Sequence, residues 1–136
     1  MLSIQVKTIA MKKRILTENA PAPIGPYNQA IQYGNTLYVS GQIAINPATG
    51  ELEIDNLEHE TNLVMKNLGA VLAAANMDYS NIVKCSIFLS DMGSFSIVNE
   101  IYGKYFTDVY PARETVEVAC LPKNVNVEIS CVAIKD

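Results

Sequence analysis

The chain has 136 residues, 49% hydrophobic and 18% charged, a composition that suits one globular domain with a sizeable core and argues against extensive disorder. A net charge of −4 speaks against a broad electrostatic grip on nucleic acid or on an anionic membrane surface. No run approaches the roughly 18 apolar residues of a membrane span and no signal-peptide pattern is present, so the expected location is the cytoplasm.

Residues 1–10 precede a second methionine, Met11, and read as an added strand, an alternative start or an appended extension to a single domain over 1–136. Lys12-Lys13-Arg14 is the one basic cluster and reads as solvated. Asn19 to Tyr27 carries three prolines and a glycine, which forbid a helix or an interior strand and predict a stiff loop delivering Tyr27 at a defined place. Gln29–Tyr33 and Thr36–Ile45 read as strands turned at Gly34-Asn35. Gly41, inside Ser40-Gly41-Gln42, marks a bulge or a close approach by a ligand or another backbone.

From Leu57 to Asn76, apolar residues recur at helical spacing behind the early acids Glu58 and Glu60. Ile82–Leu89 reads as a strand and Ser94–Thr107 as a second helix with Phe95, Val98, Tyr102, Tyr105 and Phe106 on one face. Two further strands follow, predicted as a hairpin around Leu121-Pro122-Lys123-Asn124 that sets Cys120 opposite Val125 and Glu117 opposite Glu128. Arg113, Thr115 and Glu117 would form the polar face of the first of these strands, and Glu114, Val116 and Val118 its largely apolar face. The order is an α+β pattern with helices on one sheet face; an apolar second face without helices to cover it points to self-association.

Arg113 is one of only two arginines, and at the mouth of a strand its fork of donors suits bidentate capture of a carboxylate, although a surface ion pair explains the placement equally well. Cys85, Cys120 and Cys131 fall in predicted strands without metal-ligand spacing and read as small buried hydrophobes. The single histidine, His59, lies among glutamates in a helical pattern and is not expected to act in catalysis or metal binding. No cofactor or metal is expected.

Ile24-Gly25-Pro26-Tyr27, Val39-Ser40-Gly41-Gln42-Ile43, Tyr110-Pro111-Ala112-Arg113, Val116-Glu117-Val118-Ala119 with Leu121-Pro122, and Val127-Glu128-Ile129 together resemble the RidA (YjgF-type) reactive-intermediate deaminase family, in order from about Lys12 to the C-terminus. The resemblance implies a chorismate-mutase-like α+β subunit, a homotrimer with an active site at each subunit cleft, and hydrolysis of 2-imino acids or their enamine tautomers to 2-keto acids and ammonia. Carried over by position, Arg113 clamps the substrate carboxylate and Glu128 orients or activates water. Tyr27, Ser40 and Gly41 line the cleft with Asn99 from a neighbouring subunit, and Thr115 stands where the family often has cysteine. Expected ligands are small 2-imino and 2-keto carboxylates, with neither nucleic acid nor membrane as partner. An alternative is a non-catalytic sensor of 2-keto acids using the same arginine. A ribonuclease reading is weighed down by the acidic charge and the lack of a basic stripe.

Overall fold

The computed structural model describes residues 11–136, and the expectations for residues 1–10 lie outside them. Two helices cover one face of a mixed six-stranded sheet, an α+β fold. In chain order the elements are β1 (Lys13–Ile15), β2 (Ala30–Tyr33), β3 (Thr36–Gln42), α1 (Leu57–Ala74), β4 (Ile82–Leu89), α2 (Phe95–Gly103), β5 (Ala112–Glu117) and β6 (Val127–Ile134). Across the sheet the order is β1-β2-β3-β6-β4-β5, with only β4 and β5 parallel.

α1 forms because its apolar residues share one face and both ends are closed. The Asn56 side chain accepts from His59 N at 2.9 Å, and after Ala74 the chain turns through Asn76 at φ 59°, so that Met77 N donates to Leu72 O at 2.9 Å. Val64, Met65, Leu68, Val71 and Leu72 then meet Leu37 and Val39 of β3, Ile87 and Leu89 of β4, and Val127 and Ile129 of β6 in one core. Each such side chain contributes about 1.5–3 kcal/mol by leaving water.

Several expectations need correction. β5 and β6 form no hairpin. Leu121 to Asn124 does turn the chain, but β6 inserts between β3 and β4, and β5 lies beyond β4. Glu117 is therefore level with Leu89 and Glu128 with Phe88, so the two carboxylates do not oppose each other. The alternation of β5 is also placed: its two sets face opposite sides of the sheet. Arg113 and Thr115 are level with buried Cys85 and Ile87, so the polar set faces the helix side, while Val116 lies on the uncovered face, 40% exposed. β1, at the basic cluster, is a strand that periodicity did not reveal. α2 stops at Gly103 because Tyr105 and Phe106 turn back onto Asn62, Tyr79 and Tyr102. Cys85 and Cys131 are buried in strands, but Cys120 is exposed and outside any strand.

Candidate active site

Arg113 is held by three neighbours on α2. Its Nη1 donates to Asn99 Oδ1 at 2.7 Å, and its guanidinium carbon stands 5.1 Å from the Tyr102 ring centre and 5.6 Å from that of Phe95. The two rings and Asn99 restrain the fork, which lines a cavity of about 790 Å³ together with Tyr110 and Lys104. Burial pushes the Tyr102 phenol above its ordinary range, so it stays a neutral hydroxyl. Its oxygen, like Thr115 Oγ1 on the same side of the sheet, is buried and finds no hydrogen-bond partner among the described residues. Asn99, expected from a neighbouring subunit, thus stands beside Arg113 of its own chain.

Glu128 lies in a different cavity, about 630 Å³, together with Tyr27, Ser40, Gly41 and Lys123. Burial raises its carboxyl above the ordinary carboxylate range, and no cation stands within ion-pair distance of it among the described residues. Gly41 sits in the bulge where pairing of β3 with β6 shifts between Val39 and Gln42, and a β-carbon there would strike the Glu128 carboxylate. The close approach read from this glycine comes from a side chain of the adjacent strand. Ser40 Oγ donates to Asn28 O at 2.6 Å, which commits its hydrogen locally and leaves its lone pairs free to accept. Tyr27, half exposed, stands at the rim.

Several supporting residues escaped the sequence reading. Gln29 is buried; its Oε1 accepts from Thr17 N at 2.8 Å, and its Nε2 donates to Thr17 O at 3.0 Å and Pro21 O at 2.8 Å, which pins the proline-rich loop forming the cavity wall. Asn67, also buried, donates to Ile43 O at 3.1 Å and Ile45 O at 3.0 Å, which fixes the chain leaving the bulge. Lys123 and Asn124 both adopt left-handed backbone, φ 56° and 57°, costing each about 1–2 kcal/mol relative to the right-handed form. Single buried amides and a strained turn carry no periodic signal; the one available clue was Leu121-Pro122-Lys123-Asn124 as a turn.

The family described as Endoribonuclease L-PSP matches residues 17–135. A 2-iminobutanoate/2-iminopropanoate deaminase of Mus musculus is 44% identical over 125 residues, covering 92% of this chain and 93% of that protein. This chain belongs to the RidA/YjgF family. Among other RidA/YjgF relatives, the chloroplastic Reactive Intermediate Deaminase A of Arabidopsis thaliana is 45% identical over 132 residues, 96% of this chain and 71% of that protein. The crystal structure of the YjgF gene product of E. coli superposes with a TM-score of 0.87 at 42% identity, covering 91% of this chain and 99% of that one. Among the described residues, no helix is long and apolar enough to cross a membrane.

Proposed function

We propose that this RidA/YjgF protein is a cytoplasmic 2-iminobutanoate/2-iminopropanoate deaminase, a hydrolase that converts reactive imines, or their enamine tautomers, to 2-keto acids and ammonia. The observation that carries the reading is the division of labour between two cavities. One presents a stacked arginine fork suited to a carboxylate, the other a desolvated carboxylate suited to a proton and a water. Chains associating as a chorismate-mutase-like homotrimer would bring the Arg113 cavity of one copy to the Glu128 cavity of the next. The uncovered sheet face supports association, since Tyr38, Val116 and the partly buried Phe88 and Val132 are apolar side chains that a second copy would take out of water.

The chemistry then asks little of the protein. Arg113 holds the substrate carboxylate, which orients the protonated C=N carbon. Glu128 takes a proton from water as its oxygen bonds to that carbon and gives it to the nitrogen; the C–N bond then breaks as the new hydroxyl passes its remaining proton to the departing ammonia. The products are the 2-keto acid and ammonia, with no net change in Glu128. Tyr27, Ser40 and Gly41 line the water side, while Asn99 and Thr115 line the carboxylate side. The acidic net charge and the absence of a basic stripe favour this over RNA cleavage.

The test is hydrolysis of 2-iminobutanoate generated in place by a threonine dehydratase, with semicarbazide competing for free imine. Faster 2-ketobutanoate formation with the wild type and not with Arg113→Ala is the expected result. No acceleration, with 2-ketobutanoate still bound, would replace the deaminase by a carboxylate sensor.

A further inference from the structure

Glu60, on the first turn of α1, is fully buried and faces three N–H groups: Asn126 N at 2.8 Å, Asn126 Nδ2 at 2.7 Å and Val127 N at 3.3 Å. Among the described residues it has no ion-pair partner. A site that offers only donors suits an acceptor-only carboxylate, and the helix N-terminus favours the negative charge.

The groups it holds are the ones that launch β6. Asn126 O in turn accepts from Ser90 N at 3.1 Å, which ties the same residue to the end of β4. Immediately upstream is the left-handed turn at Lys123 and Asn124, and the residue after Val127 is Glu128. Glu128 itself leans against Gly41 with no room to spare. Its carboxylate is therefore limited laterally by the bulge of β3 and along its strand by the Glu60 clamp. A shift of β6 by even part of an ångström would be passed directly to it.

We propose that Glu60 is a positioning residue for Glu128, acting through Asn126 and Val127 to hold the reacting carboxylate in place; this rests on the deaminase reading. Arg113 lies in the other cavity and makes no contact with this network, so substrate binding is separable from water activation.

The experiment compares Glu60→Leu with Glu60→Gln. Gln keeps one acceptor for the two backbone N–H groups, and its own amide can donate to an Asn126 side chain turned to present its oxygen. Glu60→Leu is expected to lower kcat by about 10- to 100-fold, the scale of a sub-ångström to one-ångström misplacement, with KM within about threefold; Glu60→Gln should restore kcat to within about threefold of wild type. The second readout needs no turnover. In a carboxyl-labelled protein the Glu128 midpoint, with Lys123 and Tyr27 as the titratable groups sharing its cavity, should fall toward that of an ordinary glutamate in Glu60→Leu and stay raised in Glu60→Gln. Wild-type kcat in Glu60→Leu, KM rising in step with the loss of kcat, or an unmoved midpoint overturns the proposal. If Glu60→Leu does not fold, Asn126→Leu, which removes one donor of three, carries the test: a severalfold loss of kcat with a lowered midpoint supports the role, and wild-type values overturn it. An inactive wild type whose Glu128 midpoint still falls in Glu60→Leu would sink the deaminase reading alone.

Discussion

A β-carbon placed on Gly41 would stand 2.5 Å from Glu128 Oε1 and 2.7 Å from its Cδ, so the bare backbone of one strand forms the seat of the carboxylate on the next. The atoms met are the far end of a flexible side chain, and the collision is relieved by moving Glu128 rather than by breaking the sheet. Gly41→Ala should therefore lower kcat for 2-iminobutanoate by about 10- to 100-fold while the melting temperature stays within a few degrees. A fully active Gly41→Ala protein would show that the seat does not matter.

Arg113 is exposed, so its replacement should leave stability nearly unchanged while removing a charge-assisted grip of about 1.5–3 kcal/mol. For Arg113→Ala this corresponds to a loss in kcat/KM of roughly 10- to 150-fold. Arg113→Lys keeps the charge but loses the planar fork stacked on Tyr102 and Phe95, and should fall between the two. Steady-state kinetics with a thermal melt of each variant checks both statements.

If the two cavities meet across a subunit boundary, inactive chains should complement one another. Arg113→Ala and Glu128→Gln proteins, unfolded together and refolded as a mixture, should regain roughly a quarter of wild-type activity, because random assembly of a ring restores about one intact site in four. Each variant refolded alone should keep only its own residual activity, well below that of the mixture. Activity that fails to return, in a mixture shown to contain hybrid oligomers, would place both residues in a single-chain site.

Burial raises the Glu128 carboxyl, so the folded state holds this proton to higher pH than the unfolded chain does. Its contribution to stability is present below the ordinary glutamate range and is lost as pH rises through the raised folded value. Glu128→Gln, which cannot ionise, should match the wild type in acid and equal or exceed it at neutral pH. Thermal melts from pH 4 to 8 measure this. The activity of the wild type should show the complementary trend, with an acid limb above the ordinary carboxylate range.

What the sequence makes legible and what it hides divide along one physical line. Ile82–Leu89 and the start of α1 at Leu57 are readable because a run of branched residues and a capped 3.6-residue repeat are local patterns. The exchange of a β5–β6 hairpin for β5 beside β4 is unreadable, since alternation says that a strand exists and not which strand it joins. Alternation likewise left open which face of β5 meets the helices: Arg113, although exposed, stands on the helix side, where the rings of Phe95 and Tyr102 receive it. The candidate site residues carried by motifs, Tyr27, Gly41, Arg113 and Glu128, are visible in the chain. The residues that hold them, Gln29, Glu60 and Asn67, are isolated polar side chains whose burial only the fold reveals.

β5 bonds to a neighbour on one side only, whereas β6 lies between β3 and β4. The strand bearing the arginine is thus an edge strand that a single chain can release without dismantling its core, and the charges on it, Arg113, Glu114 and Glu117, discourage foreign strands from adding there. Heating should therefore peel away Arg113 with its strand while Glu128, on the central β6, stays in place. Inactivation would precede melting, and the last property to vanish would be the compact, unreactive scaffold.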